Sequence, residues 1–424
     1  MLSGAAAGAD IVERAKFLTL GRIFPPNVCL SIPMRLSSKS RFYLFVFIIL
    51  GLLTTYAGCG GRDLMGDTKS FFQRLFGPAT PRAAFRKMAI KDAVVGEQDL
   101  DLWDGAYDVA KNTPLNVKLP HREMVHLDNQ LILSAQAMRF RLPPGRLLRI
   151  RALNDSEHLF GELFRLKGGV ASRRPTDWFT AEGREITYET SWIHGEELLL
   201  VVQTAPWNFT RYELQITTEP TLLFPVAGKD EKAIQSFWGA PRDGGNRKHE
   251  GNDIFAPKGT NLLALTDGEI SRLTDSGLGG KTVWLYDRER GLRYYYAHLD
   301  EQLVRKGQRV KRGDIVGTVG NTGNARTTPP HLHLGIYDNG AIDPYPFLQS
   351  ADVLPPESPL PLAEPAARMN VPDRGNHYLR LSPDSDGSVI RQLDNGELVT
   401  VLGVSERFRR VKTERGEIGY ANFD

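Results

Sequence analysis

Cysteine is nearly absent from this sequence of 424 residues, and its two cysteines, Cys29 and Cys59, both lie within the first sixty positions. The rest of the chain contains no thiol. Neither a disulfide nor a thiolate metal site can therefore form there. Any metal held by the body of the protein must be bound by nitrogen and oxygen atoms.

The sequence also lacks an excess of either charge. Its 53 Lys and Arg residues nearly balance 50 Asp and Glu residues, which gives a net charge of +3. This balance gives no reason to expect a nucleic-acid partner, although it would not oppose contact with an anionic cell-wall polymer. A hydrophobic content of 41% and a charged content of 24% are ordinary for globular protein, and the length predicts two to four domains.

One apolar run, from Phe42 to about Ala57, follows three basic residues and ends in the tripeptide AGC at Cys59. It is short for a membrane-spanning helix, which needs about 20 residues, and slightly long for the apolar part of a signal peptide. The small residues before Cys59 resemble a bacterial lipoprotein signal, which implies acylation of that cysteine; an uncleaved membrane anchor is the alternative. Both interpretations predict an exported protein attached to a membrane. Because the residues before Met34 are neither basic nor continuously apolar, we expect translation to start at Met34.

Composition and periodicity divide the chain into six segments. They are a signal or anchor (1–59), a tether followed by one or two helices (60–115), a β-sandwich accessory domain (116–220), the segment that carries the chemistry (221–350), a proline-rich linker (351–368) and a small β-barrel (369–424). The predicted fold class is therefore mainly β with an N-terminal helical segment.

The accessory segment alternates apolar and polar residues in runs such as MRFRL at Met138, LLRIRA at Leu147 and YELQIT at Tyr212. Short alternating strands between Gly and Pro turns predict an antiparallel β-sandwich. Its four histidines show no tight spacing with carboxylates. We expect them to be surface or hydrogen-bonded core residues: His121, His126, His158 and His194.

The last segment reads as short strands with the sequences YLRL, SVIRQL, ELVTVL, FRRVKT and EIGYA. This pattern predicts a small barrel and resembles a bacterial SH3-like domain of the kind that targets the cell wall. The sequence leaves open whether the barrel binds wall material or is purely structural.

Three short motifs in residues 221–350 carry the side chains able to bind a metal. His249 and Asp253 belong to HEGND, His298 follows three tyrosines, and His331 and His333 belong to HLH. Alternate side chains of a strand share a face, so the last two histidines are expected to point the same way. Taken alone, HEGND would indicate a histidine and an aspartate at the surface, and His298 would indicate a histidine packed in the core. Their joint occurrence in one glycine-punctuated β domain indicates a site.

A ligand set of two imidazoles and one carboxylate, from His249, Asp253 and His333, suits zinc at about 2.0–2.2 Å per ligand. Three protein ligands leave a position for water, which then loses its proton near neutral pH and becomes a nucleophile. The other two imidazoles, His298 and His331, are free to move protons and to support a tetrahedral oxyanion. These residues predict an amide hydrolase.

The motifs, together with FWGAPRDGG, VRKGQRVKRGDIVGTVGNTG and the sequence after HLH, resemble the lysostaphin-type peptidoglycan zinc endopeptidases. The resemblance runs from roughly Phe224 to Leu348. It implies a β-sheet peptidase domain with zinc on the same three ligands and catalytic roles for His298 and His331.

Three functions remain open at this point. The leading one is an exported, membrane-tethered zinc endopeptidase that faces the periplasm or cell wall and cuts stem peptides or cross-links of peptidoglycan. The alternatives are a non-catalytic envelope regulator that activates another wall hydrolase and a zinc peptidase that acts on proteins. An intact set of five site residues favours an enzyme over the regulator.

Overall fold

The computed structural model describes residues 79–127, 135–153, 158–179, 184–362 and 367–423, apart from the side chain of Asp243. The predicted signal or anchor, including Met34 and Cys59, lies outside the described residues. Among the described residues, no helix combines the length and the apolar character needed to cross a membrane.

Two helices begin the described chain, α1 (Pro81–Lys91) and α2 (Glu97–Asn112), and they confirm the predicted N-terminal helical segment. The hydroxyl of Thr80 caps α1 by accepting a hydrogen bond from a backbone N–H of the first turn. In α2, Leu100 and Trp103 lie three residues apart and are buried on one face of the helix. Through this face the helix packs on the first sheet of the accessory domain.

The accessory segment forms the predicted β-sandwich. Its strands are β1 (Leu115–Asn116), β2 (His121–Leu127), β3 (Ala135–Leu142), β4 (Arg146–Leu153), β5 (Leu159–Lys167), β6 (Val170–Ala171), β7 (Asp177–Trp178), β8 (Glu185–Glu189), β9 (Glu196–Thr204) and β10 (Thr210–Pro220). One sheet has the order β1-β3-β9-β5-β6, with β7 on β5, and the other contains β2-β10-β4-β8. The pairings are antiparallel except that between β1 and β3. Alternate residues such as Leu148 and Ile150 of β4 point into the core between the sheets.

The chemistry-bearing segment is built around an antiparallel sheet of its own. Its strands are β11 (Ile234–Ser236), β12 (Pro241–Arg242), β13 (Arg247–Lys248), β14 (Asn252–Phe255), β15 (Asn261–Leu263), β16 (Gly268–Asp275), β17 (Lys281–Tyr286), β18 (Arg293–Leu299), β19 (Arg309–Val310), β20 (Ile315–Thr318), β21 (His331–Tyr337) and β22 (Ala341–Ile342), followed by the short helix α3 (Tyr345–Leu348). The main sheet has the order β11-β14-β21-β18-β17-β16-β19. Leu332, Leu334 and Ile336 are fully buried on one face of β21. Burial of each side chain contributes about 1.5–3 kcal/mol to the stability of the fold. Because this face is fixed in the core, the histidines of the strand lie on the opposite face.

The C-terminal barrel contains β23 (Arg368–Asn370), β24 (Tyr378–Arg380), β25 (Val389–Gln392), β26 (Leu398–Ser405), β27 (Phe408–Thr413) and β28 (Ile418–Ala421). Strand β26 also pairs with β2, through Met124 opposite Val404 and Val125 opposite Gly403. The second sheet of the sandwich therefore continues into the barrel as one sheet of ten strands.

A buried carboxylate lies at this junction. Glu123 of β2 is 0% exposed; one of its oxygens accepts a hydrogen bond of 2.8 Å from Tyr420, and the other lies 3.2 Å from Arg410 Nε. His121, expected to be a surface or satisfied core residue, is buried with its Nε2 3.2 Å from the same carboxylate. The ion pair therefore joins the sandwich to the barrel across the shared sheet.

The proline-rich segment predicted as a linker packs on the sandwich where it is described. The Asp352 carboxylate accepts a hydrogen bond of 2.7 Å from the backbone N–H of Thr218, and Glu357 forms an ion pair with Arg122 at 2.7 Å. Both contacts tie the segment to the second sheet of the sandwich.

Candidate metal centre

The pairing of β14 with β21 builds the centre of the site. In this antiparallel register Asp253 lies opposite His333, and Phe255 lies opposite His331. Residues directly opposite each other in an antiparallel pair share a face and have neighbouring side chains. The two histidines of HLH and the aspartate of HEGND therefore meet on the face opposite the buried leucines, as strand alternation predicts.

Three donor atoms from His249, Asp253 and His333 form a nearly equilateral triangle. His249 Nε2 lies 3.0 Å from Asp253 Oδ1 and 2.9 Å from His333 Nδ1, and the last two atoms are 2.9 Å apart. These side chains are the one group of His, Cys, Asp and Glu residues placed to hold a metal ion among the described residues.

Hydrogen bonds to backbone carbonyls fix the imidazole tautomers. His249 Nδ1 lies 2.9 Å from the carbonyl oxygen of Phe237, and His331 Nδ1 lies 2.8 Å from that of Pro329. A carbonyl oxygen only accepts, so each Nδ1 carries the hydrogen. In the neutral form of each ring, Nε2 therefore presents a lone pair. For His249 this lone pair points into the donor triangle, in the arrangement found when a second hydrogen bond orients a metal-bound histidine.

The fourth histidine, His298, reaches the site through a break in strand alternation. Ala297 is the register partner of His333, so a regular β18 would turn the next side chain towards the core. The backbone of His298 has φ of 66°, a left-handed conformation that is rare for a residue with a side chain. Its ring instead lies 5.1 Å from that of His331, and its Nδ1 lies 2.9 Å from the carbonyl oxygen of Thr322. Such strain is concentrated at functional sites.

The site's charges favour an ionised carboxylate among neutral imidazoles. Burial by itself would raise the pKa of Asp253, but the proximity of His249 and His333 brings it well below its ordinary value. Burial, then repulsion from the neighbouring histidines, lowers the pKa of His298 to about 4. Burial also lowers the pKa of His333. At neutral pH these two imidazoles present lone pairs, which are what metal binding and proton abstraction require.

Two residues missed by the sequence analysis hold the carboxylate and a ligand histidine. Arg242 on β12 donates hydrogen bonds of 2.7 Å to Asp253 Oδ2 and to the hydroxyl of Ser236, which lies 3.4 Å from His249 Nδ1. The arginine occupies one carboxylate oxygen and leaves Oδ1 for the donor triangle. No periodicity marks Arg242 in the FWGAPRDGG loop, so its role appears only when the β12–β13 hairpin is folded over β14.

Gly251 is also required at this site. A Cβ atom there would lie 2.4 Å from the carbonyl oxygen of Leu334 and 2.8 Å from His333 Nε2. Both distances are shorter than nonbonded contacts allow. The glycine between the two HEGND ligands therefore lets β14 approach β21 closely enough to bring Asp253 and His249 to His333.

The donor set fits zinc. Four ligands at about 2.0–2.1 Å in a tetrahedron are about 3.3 Å apart, so the triangle needs to widen by only about 0.3–0.4 Å to receive the ion. A buried carboxylate facing two imidazole nitrogens without thiolates matches the nitrogen and oxygen preference of catalytic zinc. All five histidine and aspartate positions singled out in the sequence lie in this one cluster, whereas Cys59 lies outside the described residues.

Two parts of the chain match models of protein families. Residues 247–344 match the model of peptidase family M23, and residues 375–422 match the model of the bacterial SH3 domain. The first match contains the donor triangle and both other site histidines, and the second lies in the C-terminal barrel.

Three curated proteins are similar to the central part of the chain. An L-Ala–D-Glu endopeptidase of Bacillus subtilis is 35% identical over 140 residues, which are 30% of this chain and 43% of that protein. The glycyl-glycine endopeptidase ALE-1 of Staphylococcus capitis is 40% identical over 116 residues, covering 26% of this chain and 31% of the relative. The peptidoglycan DD-endopeptidase ShyC of Vibrio cholerae is 37% identical over 100 residues, covering 24% and 22% respectively. The chain thus spans less than half the length of each of these relatives.

Proposed function

We propose that this chain, which carries a domain of peptidase family M23 and a bacterial SH3 domain, is an exported zinc endopeptidase that cleaves peptide bonds in the stems or cross-links of peptidoglycan. The observation that carries the proposal is the triangle of His249, Asp253 and His333 donor atoms beside two further imidazoles. The names of the three relatives all state endopeptidase activity, but each name specifies a different bond. We therefore propose the bond class and leave the individual bond to the experiment.

In this proposal His249 Nε2, Asp253 Oδ1 and His333 Nδ1 hold the zinc ion. A zinc ion on three protein ligands supplies a Lewis acid and lowers the pKa of water to near neutrality. Arg242 keeps the Asp253 carboxylate turned towards the metal, and the Phe237 carbonyl keeps the lone pair of His249 in the triangle.

His298 and His331 are the proposed proton-handling residues. Each has its Nδ1 hydrogen bonded to a backbone carbonyl, which leaves its Nε2 free to accept a proton. The low pKa of His298 keeps it neutral at pH 7 and therefore able to act as a base. One of the two takes the proton of the attacking water and passes it to the leaving amine, while the other, in its protonated form, supports the oxyanion of the tetrahedral intermediate through Nε2–H.

Digestion of purified sacculi tests the activity. The zinc-loaded chain is expected to release muropeptides with new amino termini, and mass spectrometry of the fragments identifies the cleaved bond. The matched control is His331→Ala, which leaves the three proposed ligands in place. If intact sacculi survive but a separate wall amidase is activated, the chain is a regulator. If only protein substrates are cut, it is a peptidase of another substrate class.

Attachment to the cell envelope is a further part of the proposal. The AGC sequence that ends at Cys59 supports an acyl anchor on that residue. When cells that express the chain are supplied with a radiolabelled fatty acid, we expect the protein to become labelled. The substitution Cys59→Ser should remove the label. Membrane attachment that persists in the unlabelled variant would favour an uncleaved anchor instead.

A further inference from the structure

The face of the sheet that carries the donor triangle continues into a cluster of three aromatic side chains, here called the aromatic shelf: Trp284, Tyr295 and Tyr337. Their ring centroids are 4.5 Å apart for Trp284 and Tyr295 and 5.3 Å apart for Trp284 and Tyr337. All three side chains are only partly buried, so the shelf is open to an incoming molecule.

The strand register places the shelf directly beside the donor triangle. Ala297, His333 and Asp253 form one row across the sheet, and the next row on the same face contains Trp284 and Tyr295. Such rows are two residues apart, which is about 6.6–6.8 Å. The ring of Tyr295 lies 5.9 Å from that of His333, so the shelf begins at a ligand of the triangle.

A glycine opens the space that the shelf occupies. Gly335 is the register partner of Tyr295, and a Cβ atom at this position would lie 2.7 Å from the ring of Tyr337. The ring of Tyr337 therefore folds back over Gly335 towards the triangle. Within the described part of the chain, the hydroxyls of Tyr295 and Tyr337 make no hydrogen bond with protein, so they are available to a ligand.

Opposite charges flank the shelf. A Cβ atom on Gly335 would lie 3.3 Å from the backbone carbonyl oxygen of Glu250 and 3.2 Å from the hydroxyl of Tyr337, so the backbone of Glu250 borders the shelf. Burial followed by the charge of Glu250 raises the pKa of Tyr337 to about 12. At the other end Arg272 is the register partner of Trp284 and is exposed. The surface is thus apolar in the middle, with an acidic and a basic group at its two ends.

We propose that the aromatic shelf is a specificity subsite for the side chain of a diamino acid near the scissile bond, a proposal that rests on the endopeptidase function above. The linear alkyl chain of such a residue matches the aromatic faces, and its terminal ammonium matches Glu250 and the tyrosine rings. An extended peptide advances about 3.3–3.6 Å per residue, so the shelf accepts a residue one or two positions from the cleaved bond. Glycine has no side chain to occupy this surface, and the subsite therefore favours stem peptides over glycine bridges.

Binding measurements test the subsite separately from turnover. Isothermal titration calorimetry of the zinc-loaded His331→Ala chain uses the stem peptide L-Ala–D-isoglutamate–L-Lys–D-Ala, its diaminopimelate, norleucine and glycine analogues at the third position, and pentaglycine. We expect the lysine and diaminopimelate peptides to bind roughly tenfold more tightly than the glycine analogue, with norleucine between them. Equal binding of the lysine and diaminopimelate peptides would assign recognition to the terminal ammonium that both carry.

Substitutions locate the effect. In the same background Trp284→Ala should remove the difference between the lysine and glycine peptides, whereas Trp207→Ala, at a tryptophan 58% exposed on the sandwich, should preserve it. If Trp284→Ala unfolds, Trp284→Phe is measured in its place. This variant retains an aromatic face and should preserve part of the difference between the two peptides. Equal affinity for the lysine and glycine peptides, or no measurable binding of either, would overturn the subsite. Failure of the zinc-loaded parent to cut sacculi while lysine selectivity persists would instead overturn only the proposed endopeptidase function.

Discussion

At the scale of single residues, the site depends on which nitrogen of each imidazole carries the hydrogen. His249, His298 and His331 donate from Nδ1 to backbone carbonyls, whereas His333 turns Nδ1 towards Asp253. Two strand histidines of similar sequence context therefore have different tasks. His333 lies inside the donor triangle, and His331 Nε2 lies 4.0 Å from Asp253 Oδ1, at its edge.

This difference predicts separable effects of substitution. His333→Ala and Asp253→Ala each remove a proposed ligand, so zinc content and peptidase activity should be lost together. His331→Ala should keep zinc but lower turnover by about 10²–10⁴-fold, as expected for the loss of acid–base catalysis. Metal analysis beside a kinetic assay checks both results, and loss of zinc in His331→Ala would mean that the two histidines of HLH have exchanged roles.

Arg242 provides a second prediction at this scale. It contacts Asp253 Oδ2 but has no place in the donor triangle, so Arg242→Ala should weaken zinc affinity by about 10–100-fold without abolishing binding. A competition titration with a zinc chelator measures this change. Arg305→Ala, at an exposed arginine of the same domain, is the control; an unchanged affinity in Arg242→Ala would show that the carboxylate is oriented by its histidine partners alone.

At the scale of elements, two local departures from regular strand geometry build the site. Gly251 lets β14 approach β21, and the left-handed backbone of His298 turns its ring to the metal face at the end of β18. The regular parts of the same strands bury Tyr294, Tyr296 and Leu334 in the core. The packed face thus holds the strands in register, and the irregular positions place the reactive groups.

The shared sheet between the sandwich and the barrel gives a prediction about stability. Burial alone would raise the pKa of Glu123, but the charge of Arg410 and a hydrogen bond from His121 lower it below its ordinary value. Glu123→Gln leaves Arg410 buried without a counter-charge and should lower the free energy of unfolding by about 3–5 kcal/mol at pH 7. Urea denaturation measures this, with Glu406→Gln, at an exposed turn, as the control.

The pH dependence has a definite sign. A carboxyl whose folded pKa is depressed stabilises the fold fully above its unfolded pKa, about 4.3, and loses that contribution as the pH falls through the lower folded value. The parent and Glu123→Gln should therefore differ most above about pH 5 and converge in more acidic solution. A difference that does not change with pH would show that Glu123 contributes by its shape rather than its charge.

At the scale of the whole molecule, Ala79–Asp424 form one compact unit. Strand alternation in runs such as LLRIRA at Leu147 was sufficient to predict the sandwich, and the motif order was sufficient to predict the peptidase domain. The junction between β2 and β26 could not be predicted, because the pairing of Val125 with Gly403 joins residues far apart in sequence and depends on which sheet edge each domain leaves exposed.

The site itself was predictable as a set of residues but only partly as an arrangement. The HLH alternation and the HEGND spacing mark His249, Asp253, His331 and His333 from sequence, and the family resemblance implies that His333 rather than His331 is the ligand. Neither indicates the approach of Arg242, which follows from a hairpin, nor the turn of His298, which follows from one backbone angle. Long-range packing fixes both.

Anomalous diffraction at the zinc edge from crystals of the zinc-loaded chain would show which side chains bind the ion. We expect a single strong peak about 2.0–2.2 Å from His249 Nε2, Asp253 Oδ1 and His333 Nδ1, with His331 and His298 outside bonding distance. A peak bound by His331 in place of His333, or no peak within reach of Asp253, would contradict this expectation.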